Sequence, residues 1–341
     1  MIFQNTQLHN VAELVPREDG DGYYLNRLPE ALRVEINPSA KQRVRTPASA
    51  EIRFNLHQGE ARIVLRRSND SDKRSGFPVL AEIYRGDFLE SWAVVNSDWT
   101  EIRVSARTDT SLLGKAAARG SSRFDPALVR VTLPHLLGVQ LRSIEGEISP
   151  PEPTQVPATR YLAYGSSITQ GILAVRSAEI YPYRVAKALG VDLINLGLGG
   201  GAHLESGVAD HIAGRRDWNF ASLELGINLV RNLPADEFRK RLNYFIPTIH
   251  AAHPDKWIFC VDLFPFDMDL TGNERANEFR QLVAETVAEL NAPRVVHVSG
   301  PALMQDPTGL SVDVLHPSSD GFAEIGTRMA AVMRERMAGG A

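Results

Sequence analysis

The sequence lacks several features that mark particular classes of protein. Cys260 is the one cysteine among 341 residues, so no disulfide can form within the chain. No run approaches the roughly 18 apolar residues that a transmembrane helix needs. The first residues lack the basic and then apolar pattern of a secretory signal peptide. The net charge of −4 offers no general attraction to nucleic acid or to an anionic membrane. We therefore expect a cytoplasmic protein without nucleic-acid or membrane partners, and the sequence leaves its oligomeric state open.

Metal and thiol chemistry are also disfavoured. Cys260 follows Trp257-Ile258-Phe259 in an apolar run that predicts a buried strand. Burial raises the pKa of a thiol, which favours a structural role over a nucleophilic one. The chain has no H-x-x-x-H motif and no Cys/His cluster of the kind that binds zinc. We expect neither a metal nor another cofactor.

The first 150 residues have the pattern of an all-β domain. Hydrophobic residues make up 43% of the chain and charged residues 23%, values typical of a globular protein with a sizeable core. Polar and apolar residues alternate in several short segments, which predicts strands with one buried face. These are 50–56, 61–65, 79–84, 92–95, 100–104 and 128–133. Turn-forming clusters at 68–72 and 119–122 separate some of them, and the whole favours a β-sandwich or jelly roll.

A change of pattern marks a second domain. Residues 151–159 contain prolines at 151, 153 and 157 and predict a stiff linker. From 160 to 341 apolar runs alternate with helical patterns, which predicts a parallel sheet covered by helices on both faces. The predicted strands are 161–164, 191–196, 221–225, 257–263 and 295–298, and the helices are 181–189, 235–252, 273–290 and 320–337. Sites in such sheets lie at the carboxyl ends of the strands.

Ser167 follows the first of these predicted strands, in Gly165-Ser166-Ser167. Glycine permits a tight turn, and a helix that begins at Ser167 would direct free N–H groups toward an incoming oxyanion. This position suits a serine nucleophile. The alternatives are a helix-capping serine and a phosphate-binding turn, although the lysine and glycine spacing of G-x-x-x-x-G-K is absent.

Two further segments could stabilise negative charge. The glycine-rich run 197–201 follows the second predicted strand, and Asn228 follows the third. A backbone N–H of the glycine run and the side-chain N–H of Asn228 could each bind an oxyanion. The glycine run could instead be a flexible or dinucleotide-binding loop, and Asn228 could serve only as a turn or capping residue.

Asp313-Val314-Leu315-His316 precedes the last predicted helix. The spacing allows both side chains to reach one face of a turn, and Pro317 turns His316 away from helical geometry. A histidine can remove the serine proton, and an aspartate can hold the imidazole in the required tautomer. A surface loop histidine is the alternative, since the chain has nine histidines.

Together the four segments resemble the SGNH hydrolases, also called the GDSL family. Gly165-Ser166-Ser167 is similar to the family's G-D-S, Gly200 to its second-block glycine, 226–229 to its G-x-N-D, and 313–316 to its D-x-x-H. The similarity covers about residues 160–338. Ser166 and Leu229 replace two aspartates of the pattern, which leaves the four named positions intact. The layout also resembles a two-domain subgroup, which implies a three-layer, flavodoxin-like SGNH domain after an accessory jelly-roll domain.

The resemblance implies a serine ester hydrolase that acts on a small-molecule ester, such as an acetylated carbohydrate or metabolite. Ser167 would be the nucleophile, His316 the base and Asp313 its orienting partner. The N–H groups of Ser167 and Gly200 and the Asn228 side chain would form the oxyanion hole. Arg231 and His203 are predicted to contact substrate. Two alternatives stay open, namely an acyltransferase with the same residues and a carbohydrate-binding protein whose SGNH domain is inactive.

Overall fold

The computed structural model describes residues 1–68, 79–107 and 109–339. The turn predicted at 68–72 therefore lies, beyond Ser68, outside the described residues. The strands are β1 Ile2–Phe3, β2 Thr6–His9, β3 Glu13–Pro16, β4 Tyr23–Asn26, β5 Glu51–Arg67, β6 Leu80–Arg85, β7 Phe88–Val94, β8 Thr100–Ser105, β9 Val129–Thr132, β10 Val139–Ser149, β11 Arg160–Gly165, β12 Asp192–Gly197, β13 Phe220–Glu224, β14 Trp257–Val261 and β15 Val295–Val298. The α-helices are α1 Glu30–Arg33, α2 Pro38–Arg43, α3 Ser111–Arg119, α4 Ser167–Gln170, α5 Tyr181–Leu189, α6 Ser206–Gly214, α7 Ala235–Ala252, α8 Asp267–Leu270, α9 Arg275–Leu290, α10 Gly300–Leu303 and α11 Ser319–Gly339.

The strands of the N-terminal region pair antiparallel throughout, which confirms the predicted β-sandwich. The region is β-rich and not all-β, since it also contains the helices α1, α2 and α3. One of its strands, β5, pairs with strands of two different sheets. Its first residues, Glu51–Phe54, pair with β9 in one sheet, and its later part pairs with β10 and β8 in a second sheet. The two strands predicted at 50–56 and 61–65 are thus one strand of 17 residues. The apolar residues of both sheets meet in one core that includes Ile52, Phe54 and Ile63.

The C-terminal region is a five-stranded parallel sheet in the order β12-β11-β13-β14-β15. Every residue of β12 and β13 is buried, which explains why these strands are apolar runs without alternation. Separate apolar clusters cover the two faces of the sheet. The predicted helices at 181–189, 235–252, 273–290 and 320–337 are confirmed as α5, α7, α9 and α11. This is the predicted flavodoxin-like order, and its topological switch point lies between β11 and β13.

A buried ionic cluster joins the two regions. The Arg53 guanidinium of β5 donates two hydrogen bonds of 2.7 Å to the Asp192 carboxylate at the start of β12. Arg53 also pairs with Glu51 at 2.7 Å, and Arg130 pairs with the same glutamate. These four residues are at most 4% exposed. A bidentate pair between two buried side chains is strongly directional, so it helps to hold the sandwich in one position against the parallel sheet.

Several elements lack a sequence signal strong enough for prediction. The sequence analysis predicts no counterpart for the strands β1–β4 and β10 or for the helices α1, α2, α3, α6, α8 and α10. Among the described residues, the structure contains no helix with the length and apolarity needed to span a bilayer.

Candidate active site

Ser167 lies at the turn from β11 to α4, at the switch point of the sheet. Ser166 caps the short helix, since its hydroxyl accepts a hydrogen bond of 3.1 Å from the Ile168 N–H. Ser167 is therefore the first helical residue, and it is 9% exposed. Gly165 is required here, because a Cβ would lie 2.2 Å from the Thr169 hydroxyl. The tight turn thus presents the Ser167 hydroxyl at the carboxyl edge of the sheet.

A buried carboxyl lies directly beneath this turn. Glu224, the last residue of β13, accepts hydrogen bonds from the Ser166 N–H at 2.5 Å and from the Thr169 hydroxyl at 3.1 Å. Burial raises the pKa of the Glu224 carboxyl, and the hydrogen bonds from Ser166 and Thr169 oppose that effect. Glu224 therefore holds the backbone of the turn from below and leaves the Ser167 hydroxyl free to face His316.

Hydrogen bonds join the side chains of Ser167, His316 and Asp313 in that order. His316 Nε2 lies 2.8 Å from Ser167 Oγ, and His316 Nδ1 lies 2.6 Å from Asp313 Oδ2. The Asp313 carboxylate also accepts hydrogen bonds from the Leu315 and His316 backbone N–H groups at 3.0 and 2.9 Å. Burial acts to raise the pKa of Asp313, but hydrogen bonds from the His316 backbone and ring and from Ser311 outweigh it and lower that pKa to about 2. Asp313 is therefore a carboxylate at neutral pH.

The turn that carries this pair is strained. Val314 has a φ of +52°, a conformation that a β-branched residue rarely adopts. Its N–H donates to Ser311 O at 2.9 Å and its carbonyl accepts from the Asp267 N–H at 2.9 Å. These two bonds hold the backbone in the left-handed conformation and allow the carboxylate of Asp313 to reach the ring of His316.

Ser167, Gly200 and Asn228 line the same cavity, and each carries an N–H group that could bind an oxyanion. Asn228 Oδ1 accepts from the Ala202 N–H at 3.1 Å, which leaves Nδ2 of Asn228 directed away from that contact. In residues 1–68, 79–107 and 109–339, no hydrogen bond uses Asn228 Nδ2, the Ser167 N–H or the Gly200 N–H. Gly200 has a φ of +69°, which turns this peptide away from the course of the strand before it. The arrangement offers one side-chain donor and two backbone donors to a developing oxyanion.

The glycine-rich loop is positioned from both sides. Gln170 of α4 accepts a hydrogen bond of 2.9 Å from the Gly199 N–H and donates one of 3.0 Å to the His135 carbonyl. On the other side, Gly201 packs against α2 so closely that a Cβ would lie 2.5 Å from the Ala40 N–H nitrogen. Glycine is required there because two segments of backbone meet.

Helix α2 belongs to the N-terminal region and lines the site. A cavity of about 260 Å³ is bounded by residues of both regions. They are Ser39, Gln42, Arg43, Ser167, Ile172, Gly199, Gly200, Asn228, Leu315 and His316. The buried Arg27 guanidinium ties the two sides of the cavity together, with bonds of 2.7 Å to the Arg43 carbonyl and 2.7 Å to the Gly197 carbonyl.

The two predicted substrate contacts lie outside this cavity. Arg231 forms an ion pair of 2.6 Å with Asp267 on α8, and its side chain is 47% exposed. His203 lines a different cavity of about 650 Å³, next to Glu205 and Arg241. Burial lowers the pKa of His203, with a smaller opposing effect of Glu205. The structure therefore brings Ser167, Gly200, Asn228, Asp313 and His316 together and does not bring Arg231 or His203 to them.

Sequence reasoning missed the residues that come from other parts of the chain. Arg43, Ser39 and Gln42 precede a β-rich stretch and carry no motif, so only tertiary packing places them at the site. Glu224 could have been noticed from the sequence, because it is an acidic residue in an otherwise apolar predicted strand. A buried carboxylic acid in a parallel sheet calls for a polar partner, which is the Ser166 turn. Within the described residues, no group of three or more His, Cys, Asp or Glu side chains could hold a metal ion.

Comparison with known proteins gives a family match in the region of this site. Residues 163–323 match the model of the GDSL-like Lipase/Acylhydrolase family. No curated protein sequence matches the chain.

Solved structures share the fold over almost the whole chain. A salicylyl-acyltransferase, SsfX3, from a tetracycline biosynthetic pathway has 17% identity and a TM-score of 0.77, covering 98% of this chain and 94% of its own. A candidate GDSL-like lipase from Bacteroides ovatus has 21% identity and a TM-score of 0.69, with 97% of each chain covered. A family two carbohydrate esterase from Cellvibrio japonicus has 14% identity and a TM-score of 0.65, covering 98% of this chain and 96% of its own. At these identities the similarity establishes the fold.

Proposed function

We propose that this protein cleaves small acyl esters through a serine acyl-enzyme, since residues 163–323 match the model of the GDSL-like Lipase/Acylhydrolase family. The observation that carries the proposal is the unbroken hydrogen-bonded chain from Asp313 through His316 to Ser167, with distances of 2.6 and 2.8 Å. Both lie within the reach that a nucleophile and its base require.

In this mechanism Ser167 Oγ attacks the ester carbonyl while His316 Nε2 takes its proton. Asp313 accepts the Nδ1–H, which fixes the tautomer that leaves Nε2 free to accept, and its negative charge stabilises the imidazolium that forms. His316 then returns the proton to the leaving alcohol. Water attacks the acyl-enzyme with His316 again as base, and the acid is released. Because Asp313 remains a carboxylate at neutral pH, it supplies this charge throughout the cycle.

The oxyanion of each tetrahedral intermediate would be bound by the Ser167 N–H, the Gly200 N–H and Asn228 Nδ2. The bond from Ala202 to Asn228 Oδ1 fixes the orientation of the amide before substrate arrives. Fixed donors cost no reorganisation during the reaction, which is why such groups stabilise the transition state more than the ground state. One such donor is worth roughly 3 kcal/mol in acyl transfer.

The substrate class proposed is a short acyl ester, such as an acetylated carbohydrate or metabolite. The cavity of about 260 Å³ supports a small acyl group, and its lining of Ser39, Gln42, Arg43 and Asn228 offers polar partners. The carbohydrate esterase from Cellvibrio japonicus shares this fold over 98% of the present chain, which motivates acetylated sugars as the first compounds to test.

Turnover of a matched panel tests the proposal. 4-Nitrophenyl acetate, butyrate and octanoate, together with acetylated xylose and glucose, should be assayed by release of alcohol and of free acid. We expect the acetyl esters to be turned over fastest and every turnover to vanish in Ser167→Ala. Equal turnover by Ser167→Ala would contradict the mechanism, and preference for octanoate would contradict the small acyl class.

An acyltransferase is the second candidate, because the acyltransferase SsfX3 has the same fold over 98% of the present chain. The same residues would form the same acyl-enzyme, and an alcohol would replace water in the second step. The two functions differ in where the acyl group goes. Turnover of phenyl acetate in 0.5 M glycerol or xylose should release one acetate per phenol if water is the acceptor, and acetylated acceptor in its place if it is not.

A further inference from the structure

Ser39 and Gln42 are two polar residues of the N-terminal region that line the cavity of Ser167. They lie three residues apart on α2, so their side chains leave the helix on the same face. The Ser39 hydroxyl lies 3.8 Å from a Cβ built on Gly200, whose N–H is a proposed oxyanion donor. This face of α2 is therefore directed at the position that a bound ester would occupy.

Both side chains are free to bind a ligand. Each is exposed, and in the part of the chain that the structure describes neither the Ser39 hydroxyl nor the Gln42 carboxamide forms a hydrogen bond with another group. A hydroxyl and a carboxamide can each donate and accept hydrogen bonds, and neither carries a charge. An alcohol hydroxyl also does both, whereas a carboxylate only accepts and an ammonium only donates. The two side chains therefore suit a ligand with free hydroxyl groups.

The cavity has apolar lining as well as polar lining. Ile172 and Leu315 are the two aliphatic side chains among the residues that bound it. Ile172 belongs to the loop after α4, and Leu315 belongs to the turn before His316, whereas the two polar residues belong to α2. Apolar surface favours contact with alkyl groups, and unpaired polar groups favour hydrogen-bonding partners. An ester that combines a small alkyl group with hydroxyl groups matches both kinds of lining.

The position of α2 is fixed before any ligand binds. Asn37 caps the helix, accepting from the Ala40 N–H at 3.0 Å, and its side chain donates to the Gly201 carbonyl at 2.9 Å. Glu205, next to the glycine-rich loop, accepts the Asn37 backbone N–H at 2.7 Å. Ala40 also packs directly on Gly201, where a Cβ would lie 2.5 Å from the Ala40 nitrogen. A ligand that binds to this helix therefore orders little backbone, which lowers the cost of binding.

We infer that Ser39 and Gln42 select esters that carry free hydroxyl groups close to the scissile bond. This inference rests on the proposed function and identifies the residues that would recognise the substrate. It assigns part of the substrate choice to the N-terminal region, while the reacting groups belong to the parallel-sheet region. The hydroxyl groups belong either to the alcohol part of the ester or to its acyl part, since both parts lie beside the serine when it reacts.

Two isosteric ester pairs distinguish these sources. On the alcohol side, glycerol 1-acetate is compared with 2-methylbutyl acetate, and on the acyl side ethyl lactate is compared with ethyl isobutyrate. In each pair methyl groups replace hydroxyl groups at the same positions. Because the two esters of a pair differ in intrinsic reactivity, the readout is the change in their ratio of kcat/KM between wild type and variant. The pair whose ratio changes identifies the part of the ester that carries the recognised hydroxyl.

Variants assign the preference to the two side chains. Ser39→Ala and Gln42→Leu should each lower the ratio for the hydroxylated over the methylated ester by about 2- to 10-fold, the range for one neutral hydrogen bond. The double variant should lower the ratio further, and Ser39→Thr, which keeps the hydroxyl, should retain most of it. Lys41→Leu is the matched control, because it places leucine on the same helix at a residue that does not line the cavity. Its ratio should equal that of the wild type.

The pH dependence of the ratio provides a second test on the unaltered protein. Neither recognising side chain ionises, so the ratio for the sensitive pair should stay constant from pH 6 to pH 8. The inference is overturned if the double variant leaves both ratios unchanged, if Lys41→Leu shifts them equally, or if the ratio changes with pH. Absence of turnover of all four esters, together with absence of Ser167 labelling by a fluorophosphonate, would instead contradict the proposed function and the inference with it.

Discussion

Replacing Arg53 with methionine tests how firmly the two regions are joined. Arg53 is 1% exposed and donates both of its outer N–H groups to Asp192, which is 3% exposed. Methionine preserves the length and apolar stem of the side chain while removing the charge. Among the described residues, Asp192 then keeps two weaker partners, the Leu193 N–H at 3.0 Å and the His9 ring at 3.5 Å.

The expected loss is large because one charge remains buried. Removing one partner of a buried ion pair costs about 3–5 kcal/mol, since the other charge has lost its compensation. Glu51 keeps Arg130, so most of the penalty falls on Asp192. We therefore expect Arg53→Met to lower the free energy of unfolding by about 3–5 kcal/mol at pH 7.

The loss should depend on pH with a defined sign. Burial raises the pKa of Asp192, but Arg53 and His9 outweigh it, so that in the wild type this pKa lies below its ordinary value. The stability from this pair is thus present above the unfolded pKa of about 3.9 and is lost as pH falls through the lower folded value. Without Arg53, burial dominates and the native carboxyl binds a proton at higher pH. The deficit of the variant should therefore shrink as pH falls from 7 toward 4.

Urea unfolding followed by circular dichroism at pH 7.0, 5.5 and 4.5 measures these changes. Arg62→Met is the control, because Arg62 is exposed on the same strand, β5, and exposed substitutions usually change stability by less than about 0.5 kcal/mol. A deficit of less than about 1 kcal/mol for Arg53→Met, or one that does not change with pH, would refute the role given to the pair.

Three further predictions concern the site and the sheet. Asn228→Ala should lower kcat by about 10²–10³ with little change in KM, and a change of only a few-fold would exclude it from the oxyanion hole. Asp313→Asn should lower kcat by up to about 10⁴. Its free energy of unfolding should stay within about 1 kcal/mol of wild type, since the Asp313 side chain is 42% exposed. Wild-type turnover would remove Asp313 from the mechanism. Burial raises the pKa of Cys260, so Ellman's reagent should react with no thiol in native protein and with one in urea, and rapid reaction in native protein would contradict the burial.

Local pattern was sufficient to predict the fold class. Apolar runs such as those of β12 and β13 are buried on both faces, and alternating segments such as 100–104 lie on one sheet of the sandwich. The boundaries within the sandwich were harder to predict. β5 continues through Gly59 and changes partners, so its sequence resembles two strands separated by a turn. Nothing in the local sequence shows that a strand passes from one sheet to the other.

The candidate site also combines residues that the sequence predicts with residues that it does not. Ser167, Asn228 and Asp313 follow strands or precede the last helix, so their order along the chain predicts that they meet at one edge. Arg43 could not be found by such reasoning. It reaches the site because Ala40 packs on Gly201 and Asn37 bonds to the same glycine, contacts that join residues about 160 positions apart. The positions of Arg231 and His203 near the motifs suggested contact with substrate, but their side chains pair elsewhere or line another cavity.

Mass spectrometry of the protein after reaction with a fluorophosphonate tests the central claim most directly. Such probes bond to a serine whose hydroxyl is activated by a base. The proposed base, His316, lies 2.8 Å from the Ser167 hydroxyl. We predict one adduct per chain, located on Ser167 by peptide mapping, and none in Ser167→Ala. An adduct on Ser166, or labelling that persists in Ser167→Ala, would contradict the assignment of the nucleophile.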